Sequence, residues 1–402
     1  MRKRFSAYAM LLVVGTICHS LQAADLGGVQ VHGTVSQGYI YSRGNNLVEG
    51  SREGTADFRE YALNASVAVG QRGRLGAQLF GRKYGVIGDD RPYLDWLVAE
   101  YSACDWLVLR GGKLKIPYGL YGETRDIDSL RTGILLPQGV YVEYIRGAYR
   151  AMWGGALSGD VRTDALGCIS YSLQYGSTSV DDAKDEMTRL TSNRDMVVNS
   201  IDEDVAVSLA LTWRTPLEGV RLGYSFSYTR FVLHGTTGTG IPFNTEPMGQ
   251  KIAVVSAEYS LGSVALMAEG VHGTIDTTFL FDDSDAAPVG RPPPTDMGYD
   301  SEFRGFYISG NYRFGDRFFL GGGYSQFEFD QRNRIVASNT TWAEAVSQDD
   351  VFLSARLDVT ANLVLKIEQH FISGQAGAFQ SENPEGVADD WSVTLAKASY
   401  VF

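Results

Sequence analysis

Val29-Gln30-Val31-His32-Gly33-Thr34-Val35-Ser36 sets valines on one parity and polar residues on the other. Alternation with period two marks a strand with two unlike faces. The next segment repeats it, with Tyr61, Leu63, Ala65, Val67 and Val69 against Glu60, Asn64 and Ser66. A link of a few residues near 70–73 follows. Leu75, Ala77 and Leu79 then alternate with Gln78 and Arg82.

Carried along the chain, the alternation places strands at about 27–41, 57–70, 73–84, 93–103, 105–116, 146–160, 165–176, 203–214, 219–231, 250–261, 262–273, 302–314, 316–329, 349–360, 361–373 and 389–402. The links between them alternate as well. Those at 103–105, 215–218, 262, 315–316 and 360–361 are tight, whereas 177–202, 274–301 and 330–348 are long and polar. An even strand number with one side of short turns and one side of long loops is the pattern of a transmembrane β-barrel. Closure is required because an open sheet edge would leave backbone N–H and C=O groups unpaired in hydrocarbon. The expected fold is therefore all-β, a transmembrane antiparallel barrel of about sixteen strands. A soluble secreted β-protein would share the strand alternation. It would not need the short–long alternation of links.

Composition agrees with this. No interior run approaches the roughly 20 apolar residues of a spanning helix. Tyr (22) and Phe (19) are abundant, as aromatic girdles demand. At the N-terminus, Arg2, Lys3 and Arg4 precede the apolar stretch 10–17, and Ala23 or Ala24 offers a cleavage point. Residues 1–23 are thus expected to be a secretory signal peptide, and 24–402 a single barrel domain. Cys18 follows Ile17, where a lipoprotein signal would need a small residue. Cys104 and Cys168 remain after cleavage. Three inter-strand steps separate them, roughly 14 Å, so both are expected to be free and packed.

The net charge of −12 argues against nucleic acid as a partner. Its distribution says more. Asp181, Asp182, Asp185, Glu186, Asp195, Asp202, Glu203 and Asp204 crowd one long link, and Asp282, Asp283 and Asp285 another. Arginines concentrate on the strands of the first half.

One link differs. Gly119-Leu120-Tyr121-Gly122-Glu123-Thr124-Arg125-Asp126-Ile127-Asp128-Ser129-Leu130-Arg131 runs on through Ile134, Leu135, Leu136 and Pro137 to Tyr144. Apolar and paired charged residues do not suit a solvated loop. The segment 117–145 is expected to fold into the barrel and narrow it. Parity assigns Arg146 and Arg150 to the inward face of strand six, opposite Tyr149, Trp153 and Leu157, and turns Arg82 and Arg110 inward too. Asp126 and Asp128 would face this arginine wall. The candidate constriction is Arg82, Arg110, Arg125, Asp126, Asp128, Arg131, Arg146 and Arg150. A second reading is that these arginines tie the loop to the wall by ion pairs, and the two are compatible. Lys113 shares parity with Leu107 and Leu109. Either a bulge at Gly111-Gly112 flips it inward or it sits at the rim.

A third loop bent inward after strand five resembles sixteen-stranded trimeric porins. Gly112-Lys113-Leu114-Lys115-Ile116-Pro117-Tyr118-Gly119 resembles a stretch of phosphate-selective-porin-like and related Gram-negative porins. The end, Ser399-Tyr400-Val401-Phe402, resembles the assembly signal of outer-membrane barrels. The acidic third-loop motif of enterobacterial general porins is absent. The resemblance implies a Gram-negative outer-membrane location, a homotrimer among lipid, and passive diffusion of small hydrophilic solutes, with a lean to anions or organic acids from the first-half arginines. An adhesin or structural barrel without an open pore is the alternative.

Enzyme chemistry lacks support. His32, His234, His272 and His370 are not placed beside a nucleophile as a hydrolase needs, so no catalytic residue is expected. No CxxC, HExxH or EF-hand pattern is present. Neither a metal nor a cofactor is expected.

Overall fold

The computed structural model describes residues 24–179, 184–191, 195–282 and 295–402. The expected signal peptide, 1–23, lies outside these, as do Asp181, Asp182, Asp283 and Asp285 of the acidic links.

Sixteen long strands form one closed antiparallel barrel. They are β1 (Val29–Arg43), β2 (Phe58–Val69), β3 (Gly73–Tyr84), β4 (Tyr93–Cys104), β5 (Leu107–Lys115), β6 (Ala151–Thr163), β7 (Gly167–Thr178) and β8 (Met196–Arg214). The second half is β9 (Val220–Thr237), β10 (Met248–Leu261), β11 (Val264–Phe281), β12 (Met297–Phe314), β13 (Phe318–Ile335), β14 (Thr340–Asp358), β15 (Leu363–Gly374) and β16 (Asp390–Val401). β16 returns to β1, with Ser392 opposite Arg43 and Val401 opposite Thr34. Phe402 and Gly33 then exchange two backbone hydrogen bonds, at 2.8 and 3.0 Å. Closure satisfies every edge, as hydrocarbon requires. The short strands Ala24–Leu26 and Pro242–Thr245 add to β1 and to the outer ends of β9 and β11. A single helix of eight residues, α1 (Lys184–Thr191), lies among the described residues of the link between β7 and β8.

The outer surface is apolar. Leu63, Leu97, Leu157, Leu211, Ile308 and Leu353 are each at least 40% exposed on outward parities. Exposed Tyr101, Trp106, Trp213, Phe314 and Phe318 gather near the short turns. An apolar band bordered by an aromatic girdle is what lipid selects, and the chain is a multi-pass barrel of the outer-membrane type. The inward faces carry the buried polar residues together with an apolar core.

Several boundaries differ from the sequence expectation. β8 begins at Met196, β9 runs to Thr237, β12 begins at Met297, and β13 and β14 extend to Ile335 and Thr340. The expected long link 330–348 is therefore an extended hairpin with a four-residue turn, closed by Asn339 at φ 52°. Beyond the membrane both strand faces meet water. Pairing continues there while the alternation that reports it stops.

Strand six also starts later, at Ala151. Residues Glu143–Tyr149 form a 3-10 turn that Arg150 caps, so Arg146 and Arg150 belong to the loop and not to the wall. Cys104 and Cys168 are free, but Cys104 is exposed and not packed. The β5 register is unbroken from Val108 to Lys113 against both neighbours. Lys113 keeps its outward parity, between Leu97 and Trp153, two residues from the outer end of β5. Its ammonium donates to the Leu94 carbonyl at 2.7 Å.

Candidate pore constriction

The link 116–150 crosses the inside of the barrel. Its path is fixed by backbone groups that meet inward side chains of distant strands. Near its start, the Gly119 N–H donates to Ser225 Oγ at 3.0 Å and the Leu120 N–H to Glu269 Oε1 at 2.7 Å. Glu269 on β11 also accepts from Tyr141 (2.6 Å), Tyr307 (2.7 Å) and Ser256 (2.5 Å). A buried carboxylate with four donors is well satisfied.

Farther on, the Gly139 N–H reaches Ser325 Oγ at 3.1 Å. A Cβ on Gly139 would stand 2.5 Å from both the Phe306 and Gln326 carbonyl oxygens, so only glycine lets the backbone come this close. On the far side, Glu368 of β15 accepts from the Ile134 and Leu135 N–H groups at 2.7 and 3.0 Å. Ile134, Leu136, Val140, Tyr141 and Val142 are buried against the wall. The apolar residues that look out of place in a loop thus make its packing face.

Charge fills the rest of this layer. Glu143, in the loop, meets Arg82 (2.6 Å), Arg125 (2.9 Å) and Arg146 (3.4 Å). Arg146 also reaches Glu60 on β2 at 2.9 Å, and Lys397 on β16 meets the same Glu60 at 2.7 Å. Asp128 faces Lys366 (3.2 Å), Lys397 (3.5 Å) and Arg131 (3.5 Å), and accepts from Ser399 at 2.7 Å. Asp126 pairs with Lys115 at 2.5 Å and with the Gln78 amide. Arg150 pairs with Asp95 at 3.1 Å and lies over the Tyr93 ring at 4.4 Å. Helix α1 joins from the next loop, with Glu186 against Arg82 and its other oxygen accepting from the Gly147 N–H.

Burial opposes ionisation of Glu143 and Asp128. The guanidinium and ammonium groups around them outweigh it and hold both carboxyls well below the usual carboxylate range. Glu186 is the reverse case. Burial pushes its carboxyl up, and Arg82 only partly offsets this.

Seven of the eight expected residues lie in this layer. Arg110 does not, because it faces the short-turn half of the lumen and pairs with Glu100 at 2.9 Å. The partners of Asp126 and Asp128 are not an arginine wall but Lys115, Lys366, Lys397 and the loop's own Arg131. Glu60, Asp95, Lys115, Glu143, Glu186, Lys366 and Lys397 were missed. Parity offered a signal for two of them: Lys366 shares a face with Glu368 and His370, and Lys397 with Ser399. His370 lies between Asp350 and Glu368, 2.8 Å from each. His234 stands on β9 beside Asp202 at 3.0 Å.

Larger spaces lie on either side of the layer. A cavity of about 840 Å³ opens among the outer loops, lined by Glu49, Lys184 and Glu382. One of about 450 Å³ lies toward the short turns, lined by Arg110, Asp160 and Arg221. Within the layer, beside Asp126 and Arg146, a void of about 20 Å³ remains.

No family model matches the chain, and no curated protein does. Solved structures share its fold. OmpT of Vibrio cholerae, an outer-membrane protein, is 10% identical with a TM-score of 0.56, over 95% of this chain and all of that one. An anion-selective porin from Comamonas acidovorans is 11% identical with a TM-score of 0.53, over 93% and 99%. Salmonella typhi OmpF, in complex with daunomycin, is 11% identical with a TM-score of 0.53, over 95% and 100%. The chain therefore has the sixteen-stranded outer-membrane porin fold.

Proposed function

We propose that the barrel is a passive diffusion channel for small hydrophilic solutes, with its constriction at the layer built by the third loop. The observation that carries this reading is the charged layer itself, which crosses the lumen between two wider spaces. Its ion pairs join eight basic groups (Arg82, Lys115, Arg125, Arg131, Arg146, Arg150, Lys366, Lys397) to six carboxylates (Glu60, Asp95, Asp126, Asp128, Glu143, Glu186). Pore selectivity is set by such charge and by diameter. Glu269 and Glu368, which hold the same loop through its backbone N–H groups, bring the layer to eight basic and eight acidic groups, so the lean to anions or organic acids rests on the arginines that the loop and the first-half strands bring together and not on an excess of positive charge. The pairing also ties the loop to the wall, so the same residues position the constriction and set its field.

Reversal potential across a planar bilayer under a salt gradient tests this. The expected result is a small shift to the anion side, and a clear cation preference would overturn the selectivity. As the fold suggests, the channel is proposed to work as a homotrimer in outer-membrane lipid. Cross-linking in mild detergent should give a three-chain species.

A further inference from the structure

We infer that the outer half of the lumen contains a binding site for a neutral, apolar small molecule of one or two aromatic rings. This goes beyond the channel reading and does not depend on the barrel conducting.

The lumen of a water-filled barrel is polar. Here the inward faces of β9 to β13 become apolar toward their outer ends. Phe231, Phe279, Phe303 and Phe327 are all buried on inward parities. Met187 and Leu190 of α1 face them from the loop side, and Phe379 closes a third side. Met187, Phe231, Phe303 and Phe327 belong to one apolar cluster, with Leu190 packed against it, yet the cluster does not fill the space. A cavity of about 320 Å³ remains. Packed cores rarely hold voids much larger than a water molecule, and an apolar void forfeits the dispersion contacts of its lining. Residues serving only as core would close over it.

The lining also says what would fill the cavity. Among the described residues, the 22 that line it include no Asp, Glu, Lys, Arg or His. The nearby cation, Arg189, lies behind the Phe379 ring at 4.1 Å and is paired with Glu382 at 2.6 Å, so a charged guest would be desolvated without a counter-charge in the lining. Gln250, Gln331 and Ser301 supply a few neutral polar groups, in the mixture usual for small-molecule sites. Aromatic rings already stand at edge and tilted angles: Phe279 to Tyr299 at 5.2 Å, Phe303 to Phe327 at 6.2 Å, and Tyr144 to Phe379 at 4.8 Å. A flat guest can extend such a cluster. Roughly 150 Å³ of apolar cavity suffices for benzene, so one or two rings fit.

The test uses the full chain in lipid nanodiscs, because detergent tails would compete for the site. Equilibrium dialysis compares labelled naphthalene with labelled 1-naphthoate, against empty nanodiscs. The expected result is saturable naphthalene uptake by the protein, with naphthoate at least about tenfold weaker. Val346→Arg places a cation in the lining at a half-exposed position, and Leu190→Glu places an anion on the loop side. Both should keep heat-modifiable migration and lose naphthalene affinity by about tenfold or more. Bromobenzene soaked into crystals should give anomalous signal between Phe303, Phe327 and Leu190. The inference is overturned by uptake no greater than that of empty nanodiscs, by naphthoate binding as well as naphthalene, or by two folded variants that bind like the parent.

Discussion

Replacing Asp128 by asparagine should free the third loop while leaving the barrel intact. Asp128 is buried and faces three cations, Lys366 at 3.2 Å and Lys397 and Arg131 at 3.5 Å. At an effective dielectric of about 20, one pair at this separation is worth about 5 kcal/mol. Desolvation cancels much of the gross sum, and breaking a buried pair by removing one partner costs a net of about 3–5 kcal/mol. Lys397 keeps Glu60, and Lys366 keeps the Asp128 and Gly133 carbonyls, which argues for the lower end. About 3 kcal/mol is roughly two orders of magnitude in the docked-to-released ratio. The strand ladder is untouched, so heat-modifiable migration should be retained. Released loop should raise single-channel conductance and noise, and should expose a reporter cysteine at Ser129 to a membrane-impermeant thiol reagent on a Cys104→Ser, Cys168→Ser background. Arg110→Gln is the comparison, since Arg110 is partly exposed, lies outside the layer and pairs with Glu100, so its loss leaves the loop's own contacts in place. Equal conductance and equal labelling in D128N and parent would refute the claim that these ion pairs hold the loop.

Three further outcomes are expected. Gly139→Ala should lift the loop from β12 and β13, because its Cβ would meet two carbonyl oxygens at 2.5 Å; protease sensitivity between Arg125 and Arg131 should rise in the folded variant. Arg146→Gln should move the reversal potential toward cations by leaving Glu60 and Glu143 less compensated, and an unchanged potential would remove Arg146 from the constriction field. The pH dependence should be one-sided. Glu143 and Asp128 have folded-state pKa values below their unfolded ones, so their stabilisation is complete above about pH 4–4.5 and is lost only as pH falls through the depressed values. Glu186 is raised, so acidification toward pH 5 relieves its burial cost and favours the folded state. Conductance should therefore stay flat or fall slightly from pH 7 to 4.5 and rise only in stronger acid.

Much of this was legible in the sequence because lipid imposes a strict rule. Every spanning strand must show an apolar parity outward, and Leu63, Leu97 or Leu157 report it without knowledge of the inside. The rule carries no information where water replaces lipid, which is why β13 and β14 were read as ending before their hairpin. It also misleads where an irregular turn adjoins a strand. Arg146 and Arg150 keep the parity of β6 by number, yet the 3-10 turn Glu143–Tyr149 takes them into the loop. The lumenal side was harder. Lys366 and Lys397 share their inward face with the polar Glu368, His370 and Ser399, a usable signal, but also with Val364, Val393 and Leu395, which weakens it. The apolar outer lumen was invisible for a similar reason, since strands such as β9 carry apolar residues on both faces, Tyr224 outward and Phe231 and Leu233 inward. Two apolar faces look the same in sequence whether the second meets a core or a cavity.

Single-channel recording of the reconstituted wild-type chain tests the central claim most directly. The account predicts discrete, small conductance steps with a reversal potential shifted slightly toward anions. A barrel that inserts, migrates as folded and passes no current would contradict it, because the layer built by the third loop would then be a plug and not a constriction.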